Sequence, residues 1–166
     1  MLDKFQAICE MSNYGKISRE GFYTELSSLT LIDVLKIKTG VEKRIVINRE
    51  LADYVSLLRE ESYKIACLSN GTDEWTLRVI EDHNLLSLFD EIIISGNLGI
   101  VKPQPDIYIQ TLNKLNVAPE ETIFVDDRQV NVDAAQKLGI SSLLFNNTSA
   151  FIKDFKSLVS ASQYLQ

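Results

Sequence analysis

Hydrophobic positions recur at helical spacing over the first part of the chain, then give way to short apolar runs set between helices. Phe5, Ile8, Cys9 and Met11 outline one helical face, and Phe22, Leu26 and Leu29 outline a second within Ile17 to Leu29. A third helical stretch covers Leu31 to Ile37. Gly15 and Gly40 punctuate the region, and no buried strand is predicted in it. Asn48 then has the character of a helix cap, followed by Leu51, Val55 and Leu58 as the stripe of an amphipathic helix. Lys43–Asn48 reads as the lead into that helix.

Beyond it the pattern alternates. Lys64–Ser69, Glu91–Ser95, Thr122–Asp126 and Ser141–Phe145 are short runs bounded by polar or turn residues. Three of them are rich in Ile, Val or Phe, as buried parallel strands should be. Helical stretches lie between and after them: Thr72–Asn84, Asp106–Leu115 and Val130–Leu138, with Gly139 as a stop signal. A final amphipathic stretch carries Phe151, Ile152, Phe155, Leu158 and Val159. The predicted organisation is a helical segment, residues 1–47, followed by an α/β segment, residues 48–166. Strands alternating with helices imply a layered parallel sheet, in which binding sites lie beyond the C-terminal strand ends. The residues that end each run are therefore the informative ones.

Composition narrows the function classes. Hydrophobic residues make up 45% of the 166, enough for a buried core, and the net charge is −6. That charge, with no long Lys/Arg cluster, argues against a nucleic-acid partner. No apolar stretch approaches membrane-spanning length and Met1-Leu2-Asp3-Lys4 does not open a signal peptide, so no membrane partner and a reducing, cytoplasmic setting are expected. Cys9 and Cys67 are too few and too isolated for a disulfide framework or a metal knuckle.

Three strand ends carry candidate chemistry. Asp126 and Asp127 place like charges side by side, an arrangement that a hard divalent cation such as Mg²⁺ would stabilise; a solvated loop with a capping Asp is the alternative. Ser69-Asn70-Gly71-Thr72 can form a small anion cradle at a helix start, or a simple turn with Thr72 or Asp73 as cap. Lys102 lies on a loop stiffened by Pro103 and Pro105; it can neutralise a phosphate oxygen or be an exposed loop lysine. His83, the single histidine, lies late in a predicted helix and suits a surface role. Trp75 packs the helix after the Ser69 turn or lines a pocket mouth.

Taken in order, a strand ending in Ser-Asn-Gly, then Gly-Ile-Val-Lys-Pro-Gln-Pro-Asp-Ile-Tyr, then Ile-Phe-Val-Asp-Asp-Arg-Gln-Val-Asn-Val-Asp-Ala-Ala closely resemble the second, third and fourth motifs of the haloacid dehalogenase superfamily. The resemblance runs from about Asn48 to Phe145. Residues 1–47 resemble, in helical content and position, the small cap of the family's phosphatase-like members. The fold implied is a Rossmann-like α/β parallel sheet with helices on both faces and a small helical cap. The resemblance implies that Ser69 and Asn70 contact a transferring phosphoryl group and that Lys102 neutralises nucleophile and phosphate. It also implies that Asp127 binds Mg²⁺ with Asp126 in support, and that Asn131, Ala134 and Ala135 hold the loop and its helix. The implied substrate is a small phosphorylated metabolite, hydrolysed through an aspartyl-phosphate.

The family's first motif, an apolar strand ending in Asp-x-Asp, has no counterpart in these residues. Nucleophile, general acid and one metal ligand are thus missing, and the chain is expected to be inactive alone. In the family that strand lies mid-sheet, between the strands ending at Ser69 and Asp126. Without it the flanking strands must close up, recruit another segment, or pair with a partner or a missing N-terminal segment. Each buried backbone group left unpaired costs about 1–3 kcal/mol. An incomplete copy of an active phosphatase is the first expectation. A non-catalytic protein that binds phosphate or metal is the second. A metal-free dehalogenase is disfavoured by the acidic pair, and a receiver-like domain by the order of acidic pair and Lys-Pro.

Overall fold

The computed structural model describes residues 1–163; its main helices and strands follow the order predicted above, with a short helix from Ser95 to Leu98 where the sequence predicted the strand end and a loop. The chain divides into two compact units, Met1–Val101 and Lys102–Gln166.

The first unit opens with helices α1 (Leu2–Asn13), α2 (Arg19–Thr30), α3 (Val34–Glu42) and α4 (Arg49–Glu60). Gly15 ends the turn after α1 at φ +67, a conformation that costs glycine little. Asn48 caps α4 as expected, its side chain accepting from the Leu51 N–H. The third helix begins and ends later than the sequence predicts. Leu31 takes the left-handed conformation that closes α2, and the Asp33 carboxylate then caps α3 by accepting from the N–H groups of Leu35 and Lys36. Gly40 lies inside α3 instead of ending it. An interior glycine costs about 1 kcal/mol against alanine, and the helix runs on to Glu42, which pairs with Arg19 at 3.3 Å.

Strand β1 (Ala66–Ser69), helix α5 (Asp73–Asp82), strand β2 (Glu91–Ile94) and the short helix α6 (Ser95–Leu98) complete this unit. β1 and β2 pair in parallel, with Ser69 opposite Ile94. The start of β1 is fixed by Asp90, whose carboxylate accepts from the Ile65 N–H at 2.7 Å and pairs with Arg59 at 2.8 Å.

The second unit holds α7 (Pro105–Leu115), β3 (Ile123–Asp126), α8 (Gln129–Gln136), β4 (Ser141–Leu144) and α9 (Thr148–Gln163). β3 and β4 are again parallel, with Asp126 opposite Leu144. Gly139, at φ +81, turns the chain after α8 so that the Ile140 N–H donates back to the Ala135 carbonyl. The core of this unit is Ile107, Tyr108, Leu112, Val132, Ala135, Ile140, Phe151 and Phe155.

The architecture is the parallel α/β class predicted, with the strands paired as two two-stranded ladders, one in each unit. The residues of β1 and β4 are half-buried, whereas strands inside a larger parallel sheet are covered on both faces. Among the described residues, Lys43–Asn48 forms no strand, and no helix is long and apolar enough to cross a membrane. Among the described residues, Cys9 and Cys67 form no disulfide.

Candidate functional site

In the second unit, Asp126 ends β3 with 8% of its surface exposed. Burial by itself would raise its carboxyl, but donors surround it. Lys102 Nζ lies 2.7 Å from Oδ2, and the Arg128 N–H and Asn131 Nδ2 donate to Oδ1 at 2.9 and 2.8 Å. Together these bonds hold the Asp126 carboxyl below the ordinary carboxylate range. Lys102 is not an exposed loop lysine: its side chain is 11% exposed and its ammonium sits over the Phe124 ring. Its peptide bond to Pro103 is cis. Asn131 is fixed in turn, 2% exposed, with its carbonyl accepting from the Tyr108 hydroxyl at 3.0 Å. Burial, and after it the Asp126 charge, push the Tyr108 hydroxyl up to about 12.

Asp127, by contrast, is exposed. Its carboxylate, and the Asn131 Oδ1 that is buried without a donor, are hard oxygen atoms suited in kind to Mg²⁺. They fall short in number. Both Asp126 oxygens already accept hydrogen bonds, and no three His, Cys, Asp or Glu side chains among the described residues are grouped to hold a metal.

In the first unit, Ser69 ends β1 and the loop Ser69-Asn70-Gly71-Thr72 leads into α5. Ser69 Oγ lies 3.1 Å from Thr76 Oγ1. The Gly71 N–H donates to Ser95 Oγ at 2.9 Å, so this amide is committed to the protein and is not a free element of an anion cradle. Ser95, fully buried, donates in turn to the Asn13 carbonyl, and the Gly96 N–H donates to the Gly71 carbonyl at 2.9 Å. Glycines are required at this crossing: a Cβ on Gly15 would lie 2.3 Å from the Gly96 oxygen, and one on Gly96 2.7 Å from the Gly71 oxygen. Thr72 is the N-cap residue of α5, but its hydroxyl makes no capping bond and is buried without a partner. The sequence reading missed Thr76 and Ser95. Thr76 was findable in principle, since Thr72, Thr76 and Ile80 repeat every four residues along α5.

A separate cavity of about 140 Å³ in the first unit is lined by Arg19, Tyr23, Trp75, Arg78 and His83, among others. Trp75 packs against Tyr23, with ring centroids 5.6 Å apart, and lines this cavity. His83 is the C-cap of α5, and its carbonyl accepts from Arg49. None of the phosphate or metal candidates borders the cavity.

Parallel strands that end in a hydroxyl-bearing loop in one unit and in an acidic pair with a half-buried lysine in the other define an α/β protein with polar and charged side chains at its strand tips. The sequence model of the haloacid dehalogenase-like hydrolases matches residues 35–145, and the chain belongs to that family. A sesquiterpene phosphatase of Aspergillus oryzae is 31% identical over 155 residues, covering 90% of this chain and 78% of that protein. Rat bifunctional epoxide hydrolase 2 is 27% identical over 116 residues, covering 68% of this chain; the chain spans only 21% of that relative's length. Among solved structures, a haloacid dehalogenase family enzyme of Bacteroides thetaiotaomicron, complexed with magnesium and inorganic phosphate, superposes with a TM-score of 0.73 at 25% identity. It covers 87% of this chain and 78% of that one.

Proposed function

We infer that this chain supplies most of a magnesium-dependent phosphatase for a small phosphoester, and that it turns over no substrate until a strand carrying Asp-x-Asp is provided. The buried Lys102–Asp126 ion pair carries this reading. It holds an ammonium at the tip of β3, with the exposed Asp127 carboxylate next in the chain. A cation fixed this way costs no reorganisation when phosphoryl charge arrives. A phosphatase among its relatives and the Bacteroides enzyme with magnesium and phosphate support the same substrate chemistry.

In this reading Ser69 and Asn70 contact the phosphoryl oxygens and Lys102 offsets their charge. Asp127 would hold Mg²⁺ together with an aspartate of the supplied strand, since the oxygens present here are too few alone, and Asp126 would keep lysine and loop in place. Bound there, the ion would offset charge on the phosphoryl group. The missing aspartate would attack phosphorus, the ester P–O bond would break, and the alcohol would leave with a proton from the second aspartate. Water would then release phosphate from the aspartyl-phosphate. Residues 1–47 would serve as the small helical cap.

The test is hydrolysis of p-nitrophenyl phosphate with MgCl₂. The chain alone should give no turnover above buffer. The same chain preceded by an apolar strand ending in Asp-x-Asp should gain turnover, and Lys102→Ala or Asp127→Ala should remove it. Turnover by the chain alone that survives Asp127→Ala would sink the reading.

A further inference from the structure

Thr76 lies in the second turn of α5, 8% exposed. Three other helical threonines turn their hydroxyls back on their own helix. Thr24 donates to the Glu20 carbonyl, Thr30 to Leu26 and Thr111 to Ile107, each four residues upstream, at 2.9, 2.7 and 2.8 Å. Thr76 does not. Its Oγ1 meets Ser69 Oγ at 3.1 Å instead. Gly71 leaves room for this pair: a Cβ there would come within 3.3 Å of Thr76 Oγ1 and 3.8 Å of Ser69 Oγ.

A hydroxyl pair holds one shared hydrogen bond, and its direction matters. If Ser69 donates to Thr76, Ser69 presents lone pairs outward. If Thr76 donates to Ser69, the Ser69 proton is released for another acceptor. An ionised phosphoryl oxygen offers only lone pairs, so it can be bound by Ser69 only in the second arrangement. We propose that Thr76 is a positioning residue: its hydroxyl donates to Ser69 Oγ and so aims the Ser69 O–H at an oxyanion bound beyond the tip of β1. The proposal rests on Ser69 as a phosphate contact. It adds a residue outside the recognised motifs through which that contact is set. Burial of Thr76 keeps water from replacing it as the donor.

The experiment is calorimetric titration of the full chain with inorganic phosphate at pH 7, comparing wild type, Ser69→Ala, Thr76→Val, Thr76→Ser and the double variant Ser69→Ala/Thr76→Val. Losing one hydrogen bond to a charged ligand should weaken binding roughly tenfold. Ser69→Ala and Thr76→Val should each show this loss, and the double variant should be no weaker than Ser69→Ala alone. Thr76→Ser, which keeps the hydroxyl, should bind as wild type does. Several results would overturn the proposal. No binding by wild type, or binding unchanged in Ser69→Ala, removes the Ser69 contact and the proposal with it. A weakened Ser69→Ala beside a normal Thr76→Val removes Thr76 alone. Additive losses show that Thr76 does not act through Ser69. A Thr76→Ser as weak as Thr76→Val, with an unchanged near-ultraviolet circular dichroism spectrum, assigns the effect to the methyl group.

Discussion

The chain builds a strand–helix–parallel strand unit twice, as β1–α5–β2 and β3–α8–β4, and gives the two first strands different tips. β1 ends in a hydroxyl that meets another hydroxyl, and the Gly71 amide two residues on is taken up by Ser95. β3 ends in a buried carboxylate that needs an ammonium, an amide side chain and a backbone N–H to stay ionised. Neutral hydroxyls are cheap to bury once each finds a partner. A buried carboxylate is costly unless it is paired. The same local topology thus gives one tip that tolerates change and one that does not.

The sharpest way to break that contrast is Lys102→Met. It leaves the Asp126 charge buried without its cation and should cost about 3 kcal/mol at pH 7, read from urea unfolding. The effect should depend on pH. The folded pKa of Asp126 lies below its unfolded value, so its contribution is present above the unfolded pKa and fades as pH falls through the folded one. The gap between wild type and Lys102→Met should therefore narrow in acid. A gap that stays constant with pH would mean the ion pair is not its source. Ser69→Ala at the other tip removes a neutral hydrogen bond and should cost about 1 kcal/mol with no such acid dependence. Smallest, and opposite in sign, is Thr72→Val. The Thr72 hydroxyl is buried without a partner, so replacing it with a methyl should raise the midpoint of thermal unfolding slightly. A lower midpoint would show that the hydroxyl has a partner after all.

Much of this was legible in the sequence. Short apolar runs place the four strands within two residues of their observed starts, because a parallel strand reads as a short continuous apolar run; of the four, only β2 and β3 are also rich in Ile, Val or Phe. The Asn48 cap was readable because capping is local. The Asp33 cap is equally local, and it starts α3 at Val34 where apolar spacing alone predicts Leu31. Gly40 misled, because its helix is continued by a residue that pairs with Arg19, far from it in sequence. Asp126 and Ser69 stand out in the sequence as the residues that end their runs, and Lys102 as a lysine on a proline-flanked loop.

The sequence by itself determined which residues end the strands, and therefore which chemistry lies at each tip. Side-chain alternation and run length are properties of consecutive residues. Only the tertiary structure decided the partners. Lys102 meets Asp126 across 24 positions and Ser95 meets Asn13 across 82. No local spacing encodes such distances, because they are set by how the helices and strands pack once their apolar faces are buried.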